Sequence, residues 1–192
     1  MRTFKSYIKE KHEFFDKDVH KKINLPKPPK NNSGELQKIK EAMSTRTASD
    51  EESIRKHDEV PFHAIQEYCK KENLQFHIGE FEQLAEQSSK VIMHFKEKFN
   101  RIRPWEIDES IEPLESKTNK TPAYPSGHAA QSVLIANYVA GKFPDHKVGL
   151  MSAAKECGWG RVQAGWHYVS DYTVGNKLGE EMYKHMNKED FS

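Results

Sequence analysis

Apolar positions recur every three or four residues along much of the chain, which is the period of an α-helix. The longest such stretch covers residues 79–102. Its apolar positions are Phe81, Leu84, Ala85, Val91, Ile92, Phe95 and Phe99. Similar patterns predict helices at about 126–142, at 145–158 and from 166 to the C-terminus. Clean alternation of apolar and polar residues and Asn-Gly hairpin turns are both absent. The sequence therefore predicts an all-α, single-domain helical bundle.

The N-terminal region has a different pattern. Residues 1–24 are dense in charge with a sparse apolar set, which fits an amphipathic helix that docks on the body or on a second subunit. The proline-rich residues 25–34 are expected to be extended. We interpret residues 1–192 as a single domain. Within it, 1–34 form an N-terminal arm and proline-rich segment, and 79–185 form a helical core that contains the candidate catalytic residues.

Three short helices are predicted between the arm and the core, each with a recognisable start signal. They run from Ser33 to about Met43, from a cap at Thr47 or Ser49, and from Pro61 to about Lys71. Pro104 should end the long helix, because the residue before a proline is pushed out of the α region. Residues 105–124 are predicted to be a loop, and its length favours a functional role.

Composition and charge exclude several classes of protein. Lys and Arg total 30 and Asp and Glu total 29, so the net charge of +1 directs the chain to neither nucleic acid nor anionic membranes. No segment approaches the roughly 18 apolar residues of a membrane span, so integral membrane association is not expected. The start has no apolar leader, and we expect a soluble cytoplasmic protein, or a periplasmic one if a leader has been removed.

Cys69 and Cys157 lack the spacing of a metal site. We interpret them as small buried hydrophobic residues of a reducing compartment, and a single disulfide between them is the alternative.

The first of three chemically suggestive blocks is KEKFNRIRP at residues 96–104. Lys96 and Arg103 are seven residues apart, about two helical turns, so both can project from one face. Arginine offers a two-pronged donor to phosphate oxygens, and lysine offers a point charge. The alternative is a basic helix end that complements the helix dipole.

The second block, PSGH at residues 125–128, precedes an apolar helix. A phosphate could bind at the helix N-terminus, where free N–H groups point outward. Gly127 would allow close backbone approach, the Ser126 hydroxyl would donate a hydrogen bond, and His128 could act as general acid. The alternative is an ordinary serine cap beside a surface histidine.

The third block is RVQAGWHYVSD at residues 161–171. Arg161 and His167 are out of phase on one straight helix, so a break near Gly165 is needed to bring them together. His167 and Asp171 are four apart and can share a face. A carboxylate on one ring nitrogen would leave the other free to attack. A surface His–Asp pair is the alternative.

Taken together, the blocks predict one site for holding and transferring a phosphate, placed at helix ends. The predicted catalytic residues are His167, His128 and Asp171. The predicted phosphate-binding residues are Lys96, Arg103, Ser126, Gly127 and Arg161. No residue of the predicted site is assigned to binding a metal.

The three blocks resemble the signature of the type 2 phosphatidic acid phosphatase superfamily, which reads K-x6-RP, PSGH and SR-x5-H-x3-D. Within it, YPSGH at 124–128 and the GWHYVSD run at 165–171 are most similar to the soluble bacterial class A non-specific acid phosphatases. Vanadium haloperoxidases share the same blocks. The sequence departs from the pattern at Gly160, where the signature has serine, at Trp105 and at Ala129.

The resemblance implies a metal-independent phosphomonoester hydrolase that acts through a phosphohistidine on His167. It implies no cofactor, with vanadate binding as a phosphate mimic, and a small phosphorylated substrate as partner. Four alternatives stay open: a vanadate-dependent haloperoxidase, a phosphotransferase, a lipid-phosphate phosphatase and a silent phosphate-binding protein. The charged N-terminal arm keeps a homodimer open as an interpretation. The sequence does not identify the physiological substrate.

Overall fold

The computed structural model describes residues 12–187, and within that range the regular structure is entirely helical. The α-helices are α1 (Ser33–Ser44), α2 (Ala48–Lys56), α3 (His63–Lys71), α4 (Ile78–Phe99), α5 (Pro104–Ile107), α6 (Gly127–Lys142), α7 (Lys147–Gln163) and α8 (Val169–Lys184). Short 3-10 helices occupy Val19–Lys22 and Pro144–His146. The predicted all-α class is confirmed.

Helix α6 lies at the centre of the bundle. It packs on α7, α8 and α4, and its buried face is continuous around most of its circumference. Helix α8 approaches it closely at Gly175, where an added Cβ would lie 2.6 Å from the Ser126 carbonyl oxygen. This close approach brings the start of α8 beside the start of α6, where the second and third sequence blocks meet.

Most predicted helix boundaries agree with the structure. Helix α1 begins at Ser33, and Thr47 caps α2 through a capping box with Asp50. Helix α3 begins at His63 rather than at Pro61. The segment 105–124 is a loop apart from the last turn of the short helix α5.

The two C-terminal helices differ from their predicted ranges. Helix α7 continues to Gln163, five residues past the predicted end at 158. Gly165 then takes a positive φ of 78°, which breaks the helical path, as the third block had suggested. Helix α8 therefore begins at Val169 instead of 166.

One geometric prediction is wrong: Lys96 and Arg103 do not project from one helical face. Asn100 ends α4 in the left-handed conformation at φ 43°, and its N–H donates to the Lys96 carbonyl oxygen at 2.8 Å. Arg103 is extended (φ −71°, ψ 153°) and precedes α5. The left-handed turn at Asn100 thus places the arginine outside the helix, so helical periodicity does not set its position.

The predicted N-terminal amphipathic helix falls partly on residues 1–11, outside the described range. Residues 12–24 contain the 3-10 helix Val19–Lys22 and no α-helix. The docking prediction agrees with the structure, since Phe14 and Val19 are buried and the Phe14 N–H donates to Gln87 Oε1 of α4 at 2.9 Å. The stretch from 23 to 32 is not helical, as its prolines require.

Across residues 12–187, none of the helices combines the length and the apolar character needed to cross a bilayer. Cys69 and Cys157 are both free and buried.

Candidate active site

Six of the eight predicted site residues line one cavity of about 560 Å³ at the N-terminal end of α6. They come from all three sequence blocks: Lys96, Arg103, Gly127, His128, Arg161 and His167. The remaining two, Ser126 and Asp171, are fully buried behind the cavity wall.

Ser126 is the N-cap of α6. Its hydroxyl oxygen accepts a long hydrogen bond from the Ala129 N–H at 3.5 Å, and its own N–H donates to the Asp171 carbonyl oxygen at 3.0 Å. These contacts give it a structural role in joining α6 to α8. Its predicted hydrogen bond to phosphate stays a prediction.

His167 is held at both ring nitrogens. Nδ1 lies 3.2 Å from Asp171 Oδ2, and Nε2 lies 3.1 Å from Arg103 Nη1. A proton on Nδ1 donates to the carboxylate, which leaves the Nε2 lone pair to accept from the guanidinium. Burial, reinforced by the charges of Arg103 and Lys96, holds the pKa of His167 well below its ordinary value. His167 is therefore a neutral imidazole with its lone pair on the atom nearest the cations.

Asp171 is 0% exposed and receives three donors. They are the His167 ring, the Tyr168 N–H at 2.9 Å and Arg101 Nη1 at 2.6 Å. Burial raises the pKa of this carboxyl, and the Arg101 charge and the Tyr168 N–H oppose that rise.

Arg101 is a member of this network that the sequence did not indicate. Its guanidinium bonds Asp171, Ser170 Oγ at 2.7 Å and Asn31 Oδ1 at 2.9 Å, and it lies 3.7 Å from the centre of the Tyr168 ring. The available signal was only that Arg101 stands in the first block, two residues before Arg103. In the structure Arg101 contacts the Asp171 end of the His167–Asp171 pair, and Arg103 contacts the His167 end.

His128 is held differently. Its Nε2 lies 2.7 Å from the backbone carbonyl oxygen of Asp58, in the connection between α2 and α3. Nε2–H donates to that carbonyl, so Nδ1 is the atom left for proton transfer. Burial and then the Arg161 charge hold the pKa of His128 well below its ordinary value.

Asp58 is a second member of the site that the sequence did not indicate. Its carboxylate accepts from Arg161 Nη1 at 3.1 Å, from Ser116 Oγ at 2.9 Å, from Thr118 Oγ1 at 2.8 Å and from the Lys117 N–H at 2.9 Å. Burial alone would raise the pKa of Asp58, but these hydrogen bonds and the Arg161 charge lower it. Asp58 thus ties the 105–124 loop, Arg161 and His128 together.

The three predicted phosphate-binding cations are buried and anchored by backbone carbonyls. Arg103 donates to the Thr121 and Trp166 oxygens at 2.8 and 2.6 Å, and Arg161 donates to the His57 oxygen. The Lys96 ammonium donates to the Pro122 oxygen. Arg161 Nε is buried and forms no hydrogen bond that meets the usual geometry within the described residues.

Burial has a large effect on two of these cations. It lowers the pKa of Lys96, which is 4% exposed, to about 7, and the neighbouring Arg103 charge adds to the effect. It also lowers the pKa of Arg103 to about 10. Preorganised cations removed from water interact strongly with an anion, and the anion in turn stabilises their charged forms.

Gly160, where the family signature has serine, does not line the cavity. An added Cβ there would lie 2.9 Å from Ile54 Cγ1 of α2. Ile54 therefore occupies the space that a serine side chain would need.

The cavity lining contains no cluster of three metal-ligating groups. Among residues 12–187, the side chains close enough together to hold a metal ion are His57, His63 and Glu67, and these three lie outside the cavity lining.

Comparison with known proteins agrees with this arrangement. A family model described as the PAP2 superfamily matches residues 84–182, from the middle of α4 nearly to the end of α8. No curated protein matches the chain.

Among solved structures, a transmembrane PAP2 type phosphatidylglycerolphosphate phosphatase from Bacillus subtilis is similar, with a TM-score of 0.57 and 18% identity over 87% of this chain and 88% of that one. At that identity the likeness is one of fold. The family match spans slightly more than half of the sequence and includes every residue predicted for the site, and the chain belongs to the PAP2 superfamily.

Proposed function

We propose that this protein is a phosphomonoester hydrolase that needs no metal for the reaction and forms a phosphohistidine on His167. One observation carries the proposal: Asp171 holds Nδ1 of His167, so the ring's lone pair lies on Nε2, where it accepts from Arg103 Nη1 at 3.1 Å and where a phosphoryl group bound by Arg103 would meet it. Binding alone requires cations, whereas a buried histidine oriented in this way is what nucleophilic attack requires.

The first step transfers the phosphoryl group to the enzyme. His167 Nε2 attacks phosphorus as the bond to the leaving oxygen breaks, and His128 Nδ1–H gives its proton to that oxygen. Lys96, Arg103 and Arg161 bind the phosphoryl oxygens. A bound phosphate dianion raises the pKa of Lys96 and of His128, which opposes the effect of burial, so both groups are protonated when the substrate is bound.

The second step returns the enzyme to its starting state. Neutral His128 takes a proton from water, the hydroxide attacks phosphorus, and the bond to Nε2 breaks. Inorganic phosphate leaves, and His128 is again the acid. An alcohol in place of water would give phosphotransfer by the same path, so that activity belongs to the same proposal.

Quenching in alkaline denaturant during turnover of p-nitrophenyl [32P]phosphate tests the intermediate, because the N–P bond of phosphohistidine survives in alkali. We expect an acid-labile, alkali-stable label on His167 of the wild-type protein. His128→Ala should retain the label because an aryl leaving group needs little protonation, and His167→Gln should carry none. A label on another residue, or unimpaired turnover by His167→Gln, contradicts the proposal.

The rest of the cavity restricts the leaving group. Glu59, Glu82 and Glu86 line it beside the polar groups Thr118 and Asn119. Carboxylates repel an anionic leaving group and accept hydrogen bonds from hydroxyl or ammonium groups. We propose substrates whose leaving group is neutral or cationic.

Comparing kcat/KM for glycerol phosphate, phosphocholine and ADP tests this specificity. We expect ADP to be the poorest substrate and Glu86→Gln to improve it more than it improves glycerol phosphate. Equal improvement of both substrates would argue against charge selection.

A lipid-phosphate phosphatase is the second candidate. Val60, Phe62, Ile92 and Met93 give the same cavity an apolar strip that could hold an acyl chain, and the similar solved structure is a lipid-phosphate enzyme by its description. Short-chain phosphatidic acid, compared with glycerol phosphate, distinguishes the two: a preference for the lipid favours this candidate. Peroxide-dependent bromination by the vanadate-loaded protein would instead favour the haloperoxidase alternative.

A further inference from the structure

A second polar cluster lies next to the α2–α3 connection. His57 follows the last residue of α2, His63 is the first residue of α3, and Glu67 is one turn further along α3. Glu67 Oε2 is 3.5 Å from His57 Nε2 and 3.7 Å from His63 Nδ1. One ligand atom from each of the three residues lies within 4.8 Å of the others.

The two histidine nitrogens in this cluster are buried without a hydrogen-bond partner in the described residues. They are His57 Nε2 and His63 Nδ1, and His57 as a whole is only 5% exposed. An unpaired buried polar atom is costly, so each such atom calls for an explanation. Two atoms of this kind facing the same carboxylate oxygen indicate a shared partner.

The neighbouring side chains Ser53 and Lys56 contact the other polar atoms of His57 and Glu67, not the atoms that face each other in the cluster. Ser53 Oγ lies 3.4 Å from His57 Nδ1, the other nitrogen of that ring, and Lys56 pairs with Glu67 Oε1, the other oxygen of that carboxylate. Metal-binding histidines and carboxylates commonly carry such outer contacts, which fix the ligand atom that faces the metal.

We propose that His57 Nε2, His63 Nδ1 and Glu67 Oε2 bind a divalent transition metal such as Zn²⁺. Two imidazoles and a carboxylate suit zinc better than magnesium or calcium, which prefer all-oxygen sites. Zinc bonds of about 2.0–2.1 Å place tetrahedral ligands roughly 3.3 Å apart, close to the two separations to Glu67 Oε2. Water completes the coordination.

The site has a structural consequence for the cavity. The His57 carbonyl oxygen accepts from Arg161 Nη2, and the next residue, Asp58, holds both Arg161 and His128. A metal at His57 therefore restrains the segment 57–62, whose second half lines the cavity. The metal takes no part in the phosphoryl transfer, which the cations and histidines perform.

Zinc titration of the chelator-treated full-length protein tests the site by calorimetry. We expect one Zn²⁺ per chain and a higher Tm when it binds. His63→Ala and Glu67→Gln, which change less buried residues than His57, should weaken binding by at least about tenfold, since even loss of an outer contact commonly costs that much. Circular dichroism establishes that the variants are folded.

His185→Ala is the matched control. His185 forms an i,i+4 pair with Glu181 that has no place in the three-residue cluster. Cobalt gives an independent readout, since tetrahedral Co²⁺ absorbs in the visible range, and the band should vanish in His63→Ala and persist in His185→Ala. Binding that is no stronger in wild type than in His63→Ala, or equally weakened by His185→Ala, overturns the site. Neither readout depends on phosphatase activity.

Discussion

The two histidines that we propose as catalytic line one cavity, and each is held by the same three kinds of group. On the nucleophile side, His167 donates to Asp171, which is paired with Arg101. On the acid side, His128 donates to Asp58, which is paired with Arg161. The difference is the accepting atom: a carboxylate oxygen for His167 and a backbone carbonyl oxygen for His128.

That difference matches the two proposed roles. A carboxylate stabilises positive charge on the imidazole and makes the opposite nitrogen more electron-rich, which suits a ring that becomes phosphorylated. A neutral carbonyl orients the ring with less stabilisation of its cation. His128 can therefore release its proton more readily, as a general acid must.

The largest expected effect comes from removing the nucleophile. His167→Ala should reduce hydrolysis of p-nitrophenyl phosphate to background, because no other group can form the covalent intermediate. Steady-state kinetics measures the loss, and vanadate binding to the same variant establishes that the cationic pocket survives. Residual activity near the wild-type level would remove His167 from the mechanism.

Removing the acid should have a smaller effect that depends on the leaving group. His128→Ala should lower kcat for an alkyl phosphate by roughly 10²–10⁴, the usual contribution of general acid catalysis. With p-nitrophenyl phosphate the first step should suffer far less, since that leaving group departs without a proton. Single-turnover rates on the two substrates measure the difference, and equal losses would assign His128 another role.

Substitutions of the two aspartates, Asp171 and Asp58, should have kinetic effects that differ in size and in the parameter affected. Asp171→Asn changes the group that fixes the His167 tautomer and should lower kcat by about 10²-fold or more. Asp58→Asn keeps the backbone carbonyl that accepts from His128 but weakens the ion pair with Arg161. Because Arg161 is proposed to bind the phosphate, the substitution should act mainly on KM. Parallel kinetics on both variants measures the contrast, and a larger kcat loss in Asp58→Asn would reverse our account of the two sides.

The smallest expected effect is in the pH dependence of anion binding. Because burial lowers the pKa of Lys96 to about 7, the free protein loses this charge above that pH. A bound dianion raises the same pKa, so binding takes up a proton, and affinity should fall by up to about tenfold per pH unit above 7.

Phosphate inhibition constants between pH 6 and 9 measure that slope. Lys96→Met serves as the reference, because titration of phosphate itself and of the histidines persists in it. The wild-type curve should be steeper above pH 7, and identical slopes would show that Lys96 keeps its proton throughout.

Local sequence was sufficient for a large part of this structure. The apolar period located the helical core, Thr47 and Gly165 marked a cap and a break, and the three blocks named six residues that now share one cavity. Each of these signals depends only on residues that are close together in the sequence. The predicted common face for Lys96 and Arg103 failed because one left-handed residue, Asn100, ended the helix between them.

Arg101 and Asp58 could not be read in the same way. Asp58 meets His128 and Arg161 across 70 and 103 residues of sequence, and no periodicity links them. Arg101 stood within a quoted block, but its partner Asp171 is 70 residues away. Hydrogen bonds between distant segments depend on how the helices pack, and packing is not encoded in local spacing.

The sequence by itself determined the helical class and named the residues of the proposed phosphate site, including its two histidines, because residue type and local period carry that information. Tertiary structure alone decided that Ser126 and Asp171 lie behind the cavity wall, that Arg101 and Asp58 anchor its two sides, and that His57, His63 and Glu67 converge. The physical reason is that burial and long-range hydrogen bonding exist only after the helices have packed around α6.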